Sequence, residues 1–94
     1  MPHMFDPTLL VAELARRKET VALCESLTGG LASAMLVDVP GASAVFNGAL
    51  VTYAMPMKHR LAGVPCEVLE SVGPVSRECA REMALGVRER CAAS

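Results

Sequence analysis

The chain has no tryptophan, one tyrosine and two phenylalanines among its 94 residues. That removes the aromatic platforms on which single-stranded nucleic acid stacks. Excess charge is missing too: nine Lys and Arg against ten Asp and Glu leave a net charge of −1. There is no basic surface to hold a phosphate backbone, so nucleic acid is not an expected partner. No apolar run approaches the ~20 residues that cross a bilayer, and no membrane partner is expected. The start, Met1-Pro2-His3-Met4-Phe5-Asp6, lacks the charged-then-apolar layout of a signal peptide. None of Cys24, Cys66, Cys79 and Cys91 forms a C-x-x-C pair, and His3 and His59 lie apart from them. No metal site is expected, and reduced thiols of a cytoplasmic protein are the better reading. The last four residues, Cys91-Ala92-Ala93-Ser94, fit a prenylation pattern. No polybasic segment or second acylation signal accompanies it, and Cys91 falls on the apolar stripe of its own helix.

What is present is small and aliphatic. Hydrophobic residues make up 52% of the chain, six of them Met, and the mean hydropathy is +0.37. One domain spanning 1–94 is expected, its core filled by branched aliphatics and adaptable methionines. So much apolar surface on so short a chain predicts contact with another subunit or with a further segment.

Asp6-Pro7 marks a helix start, an N-cap carboxylate followed by proline in the first turn. That helix carries Leu9, Leu10, Leu14 and Ala15 and ends near Arg16, Arg17 and Lys18, which suit its negative pole. A strand from about Thr20 to Cys24 leads into a polar turn, and a helix follows from about Thr28 to Val37. Pro40-Gly41 turns the chain, with Asp38 and Ser43 expected to fix the turn. Val45 to Tyr53 reads as a buried strand in which Asn47-Gly48 signals a bulge or early turn. Short helices are predicted over Met57 to Leu61 and near Glu67 to Ser71. Ser76 then caps a last helix with Cys79, Ala80, Met83, Val87 and Cys91 on one face. The pattern from Thr20 to Tyr53 is a βαβ unit with parallel strands. Two strands among several helices make an unusually small sheet. The expectation is an α/β fold whose sheet is completed by another subunit or by residues beyond Ser94.

The richest stretch chemically is Cys24-Glu25-Ser26-Leu27-Thr28-Gly29-Gly30, where strand passes to helix. A helix N-terminus offers free N–H groups and a positive dipole end, so this point could hold a phosphate, host a reaction, or only make a tight connection.

Several segments together resemble the C-terminal domain of the CinA family (competence/damage-inducible protein, also known as nicotinamide mononucleotide deamidase). They are Glu25-Ser26-Leu27-Thr28-Gly29-Gly30, Asp38-Val39-Pro40-Gly41-Ala42-Ser43, Tyr53, Lys58 through Val64, and Gly73-Pro74-Val75-Ser76. The resemblance implies a cytosolic α/β enzyme that hydrolyses the carboxamide of nicotinamide mononucleotide to nicotinate mononucleotide and ammonia, without cofactor or metal. It departs from the family in Ala54-Met55-Pro56-Met57, apolar where polar residues are usual. A later glycine-rich segment and its strands are absent, so a shortened CinA-like domain is expected.

The resemblance implies Ser26 as nucleophile, Lys58 as its base if burial disfavours the ammonium, and Tyr53 as a proton relay or amide-orienting group. The N–H groups of Thr28, Gly29 and Gly30 are candidates for an oxyanion or phosphate, with Glu25 orienting Lys58 and Arg60 facing a phosphate. Each has a plainer reading. Ser26 and Thr28 serve as caps, Gly29 and Gly30 allow close packing, Tyr53 anchors a core edge, Lys58 and Arg60 are solvated, and Glu25 forms an inconsequential ion pair. The competing function is a catalytically incompetent, shortened binding or oligomerisation module, with a homo-oligomer expected. A generic phosphate-binding protein is a weaker third.

Overall fold

The structure is a computed structural model that describes residues 6–94. Helix α1 (Pro7–Arg17) starts as its sequence predicts: the Asp6 side chain accepts a hydrogen bond from the Leu9 N–H at 3.2 Å. It stops where Lys18 turns left-handed at φ 56°. Strand β1 (Val21–Glu25), helix α2 (Leu31–Val37), a single 3-10 turn (Ala42–Ala44) and strand β2 (Phe46–Val51) follow. Helices α3 (Met55–Arg60), α4 (Cys66–Ser71) and α5 (Arg77–Arg90) complete the described chain. Ser76 caps α5, accepting from the Cys79 N–H at 3.1 Å.

The two strands pair in parallel, as the βαβ pattern requires. Their register explains how so small a sheet serves two cores. Val21 stands opposite Phe46, but Ala22 stands opposite Gly48, so Asn47 is an extra residue in β2. Side chains alternate faces along a strand, and one inserted residue inverts that alternation. Phe46 and Leu50 would otherwise share a face. With Asn47 inserted, Phe46 joins Val11, Leu36, Ala42 and Val45 on the α1/α2 side, together with Val21 and Leu23. Leu50 joins Ala62, Val64, Leu69, Cys79 and Met83 on the α4/α5 side, together with Cys24. The Asn47 side chain also donates to the carbonyls of Cys91 (2.9 Å) and Ala92 (3.2 Å), tying the end of α5 to the sheet.

Helix α5 lies against the backbone. A Cβ placed on Gly86 would sit 1.7 Å from the Ala62 carbonyl oxygen, so no side chain fits there. On either side of it Met83 and Val87 are buried. Of the predicted face, Cys79, Met83 and Val87 are buried, Cys91 is half-buried, and Ala80 is exposed.

Two boundaries differ from expectation in a way that matters for the site. Strand β1 runs one residue further, to Glu25, and α2 begins at Leu31 rather than near Thr28. Residues 26–30 form an open turn instead, with Gly29 and Gly30 both left-handed at φ 64° and 109°. A non-glycine residue is strained at such values.

Candidate active site

The turn after β1 parts two consecutive side chains. Glu25 reaches towards α2, while Ser26 reaches towards α3. Strand alternation gives neighbouring residues opposite directions, and here it places a carboxylate and a hydroxyl in separate environments.

Glu25 is 6% exposed. Its carboxylate accepts from the Ala32 N–H at 3.1 Å, the Ser33 N–H at 2.8 Å, and the hydroxyls of Thr28 and Ser33. Burial pushes the carboxyl upward. The Ser33 and Thr28 hydroxyls and the two backbone N–H groups outweigh it together, and the result is held down at about 2. The positive end of α2, expected to receive a ligand anion, is therefore filled by the protein's own carboxylate. Among the described residues no ion pair joins Glu25 to Lys58, so Glu25 does not orient that amine directly. The Gly29 N–H is also taken, by the Ser26 carbonyl at 3.1 Å.

Lys58 comes from the middle of α3 and is 3% exposed. Its Nζ lies 2.9 Å from Ser26 Oγ, 2.6 Å from the Thr52 carbonyl and 3.2 Å from the Tyr53 carbonyl. Three acceptors match the three hydrogens of an ammonium. A neutral amine keeps two of them for the carbonyls and turns its lone pair to the Ser26 hydroxyl. The two carbonyls come from the segment between β2 and α3, which the Thr52 N–H ties to the Glu25 carbonyl at 2.8 Å. Tyr53 thus meets Lys58 through its main chain, while its side chain lies largely exposed. Nearby, burial pushes the Cys79 thiol up more strongly than the Lys58 charge draws it down, which keeps it protonated.

Ser26 and Lys58 open onto a cavity of about 570 Å³ lined also by Leu27, Tyr53, Met55, Pro74, Val75, Ser76 and Ala80. Met55, from the apolar replacement segment, is among its walls. The structure thus brings Ser26, Tyr53 and Lys58 together at one cavity and turns Glu25 inward, with the exposed Thr28 bonded to it through its hydroxyl. Arg60 stands on a different surface, with His59, Gly63 and Arg90. His59, given no role from the sequence, binds the Val64 carbonyl at 2.8 Å. Three participants were missed. The Thr52 carbonyl is invisible to side-chain reasoning. Ser33, a polar residue in the third position of an otherwise apolar helix, was a readable signal. The Pro74-Val75-Ser76 wall was read as a family-like segment and a helix cap, but given no place at the site.

A buried lysine on a serine at the mouth of a helix, within a small α/β fold, defines the serine–lysine class of site. Residues 7–94 match the family described as the CinA C-terminal domain, and the chain belongs to that family. It is 49% identical over 82 residues to a CinA-like protein of Desulfovibrio desulfuricans, covering 87% of this chain and 19% of that protein. It is 45% identical over 85 residues to a putative competence-damage inducible protein of Listeria welshimeri, covering 90% and 20%. Among solved structures, the competence/damage inducible protein CihA from Agrobacterium tumefaciens superposes with a TM-score of 0.87 at 32% identity, over 99% of this chain and 59% of that one. A CinA superfamily protein from Escherichia coli superposes at 0.93 with 25% identity, over 99% and 58%. The chain therefore spans about a fifth of the length of these curated relatives and about six-tenths of these solved chains.

Proposed function

We propose that this chain carries an amidohydrolase site that cleaves the carboxamide of nicotinamide mononucleotide, releasing ammonia and nicotinate mononucleotide. The observation that carries this reading is the 2.9 Å contact between Lys58 Nζ and Ser26 Oγ, residues 32 apart in sequence, at an open cavity. Once the Lys58 amine has released a proton to solvent, Ser26 Oγ attacks the carboxamide carbon as its own proton passes to the Lys58 lone pair. The C–N bond of the tetrahedral adduct then breaks, and Lys58 gives its proton to the departing nitrogen, which leaves as ammonia. Water attacks the resulting ester, losing a proton to Lys58, which returns it to Ser26. Throughout, the Thr52 and Tyr53 carbonyls keep the amine pointed at the reacting oxygen. Tyr53 and Met55 line the same cavity, and in this reading they meet the flat pyridine ring at its mouth.

A second reading, self-association through this face, is favoured by exposed apolar side chains around the mouth: Leu27 at 85%, Tyr53 at 74% and Val75 at 92%. Such a patch is unusual on a solitary small domain. The module and enzyme readings separate in one pair of measurements. Ammonia release from nicotinamide mononucleotide is assayed beside Ser26→Ala, with the oligomeric state followed by light scattering. Turnover lost in Ser26→Ala is the expected result. Folded protein without turnover at high concentration removes the enzyme reading, and unchanged turnover in Ser26→Ala removes the nucleophile.

A further inference from the structure

Glu25, Ser26, Lys58 and Thr52 form a closed circuit. Glu25 and Ser26 are joined by the chain. Lys58 Nζ binds Ser26 Oγ at 2.9 Å and the Thr52 carbonyl at 2.6 Å. The Thr52 N–H returns to the Glu25 carbonyl at 2.8 Å. Outside itself the circuit touches the Cys24 thiol through the Thr52 hydroxyl (3.6 Å) and the Tyr53 carbonyl through Lys58 (3.2 Å), but its most heavily bonded anchor is the Glu25 carboxylate, which four donors from residues 28–33 hold against α2. Ser26, one half of the reacting pair, is the residue next to that anchor.

We propose that Glu25 is a positioning residue for the Ser26 nucleophile: by locking its carboxylate into the first turn of α2, it fixes the rotation of the backbone that aims Ser26 Oγ at Lys58. This rests on the reading of Ser26 as nucleophile. The physical reason lies in the turn. Residues 26–30 leave the strand before a helix has formed, and two glycines within the turn, Gly29 and Gly30, are left-handed. Such a segment supplies little stiffness of its own. A hydroxyl held on it loses aim unless the preceding residue is clamped, and a small loss of aim costs a large factor in rate. The carboxylate is suited to the task because it accepts in four directions at once and all four donors are present. An isosteric amide keeps the shape but sets an NH2 group against a backbone N–H, breaking that bond, and forces the hydroxyl beside it to turn round and accept. The circuit assigns Glu25 a role through Ser26, not through contact with substrate.

The test compares Glu25→Gln, Ser33→Ala and Thr28→Val with the unaltered chain, using an alkyl fluorophosphonate, which phosphonylates reactive serines with loss of fluoride. Two quantities are read by mass spectrometry: the rate constant of Ser26 labelling and its final extent. Lost folding lowers the extent, whereas lost aim lowers the rate at full extent. Glu25→Gln is expected to label at least tenfold more slowly with unchanged extent, and Ser33→Ala and Thr28→Val about two- to fivefold more slowly. Rates within twofold of the unaltered chain, or rate and extent falling in proportion, overturn the proposal. Should Glu25→Gln not fold, the two single-donor variants decide by the same criterion. Independently of any chemistry, NMR follows the proximity of the Lys58 ε-methylene to the Ser26 β-methylene. Its presence in the unaltered chain and loss in Glu25→Gln is expected, and its persistence in that variant overturns the proposal. An unlabelled Ser26 in the unaltered chain tells against the nucleophile, and the NMR contact then judges the positioning role alone.

Discussion

Two buried charges flank the end of β1, and they are treated in opposite ways. Glu25 is surrounded by donors from one short stretch of chain, residues 28–33, and faces away from the cavity. Lys58 takes two backbone carbonyls from just upstream, those of Thr52 and Tyr53, and one side-chain partner from 32 residues away, the Ser26 hydroxyl, which opens onto the cavity. Local and complete satisfaction makes a carboxylate a structural part. A single exchangeable hydroxyl among its partners, open to the cavity, is what the proposed chemistry asks of the amine. Burial alone does not separate the two, since both are under a tenth exposed; the kind of partner does.

The comparison breaks most visibly at the amine. Lys58→Met, close in length but without charge or donors, is expected to lower ammonia release by about a thousandfold. Its thermal midpoint should change little, because an apolar group of similar volume often replaces a buried ion at small net cost. Glu25→Gln should reverse that order for stability and lose about 1–3 kcal/mol in denaturant unfolding, as N–H and O–H groups are left poorly paired. A smaller loss than in Lys58→Met would erase the distinction between the two charges.

Acid sharpens the contrast further. The Glu25 carboxyl is held at about 2 in the folded chain against an ordinary 4.5. A group depressed on folding stabilises fully above its unfolded value and loses that contribution as pH falls through the folded one. Thermal midpoints of the unaltered chain should therefore fall between about pH 4.5 and 2 by more than those of Glu25→Gln. Parallel curves would mean that Glu25 contributes nothing to acid sensitivity. The smallest effect is expected far from both charges: Asp6→Ala removes the α1 cap and should cost about 1 kcal/mol in unfolding while leaving ammonia release unaltered. Any loss of turnover there would show that the site depends on the whole scaffold, not on the β1 turn.

The fold was legible where signals are local. Asp6-Pro7 and Ser76 start helices as their chemistry demands, and Asn47-Gly48 marks a real irregularity in β2. The family motifs identified the fold and singled out Ser26, Tyr53 and Lys58, which the structure brings together. What stayed hidden depended on reach. Glu25 bonds seven and eight residues ahead, to Ala32 and Ser33, so helix propensity around Thr28 pointed to a start three residues too early. The Thr52 and Tyr53 carbonyls belong to no side-chain pattern. Arg60, two residues after Lys58, is carried by the turn of α3 onto another surface.

Gly86 has a consequence at the far end of its helix. With the Ala62 carbonyl filling the space where any side chain would begin, α5 has a single seat: sliding it by one residue would drive Leu85 or Val87 into that oxygen. A helix is a stiff rod, and about 15 Å separates Gly86 from Ser76 along it at 1.5 Å per residue. The notch at one end therefore sets the height of the wall that Ser76 and Ala80 present at the other. The depth of the cavity beside Ser26 is gauged by a residue that does not line it.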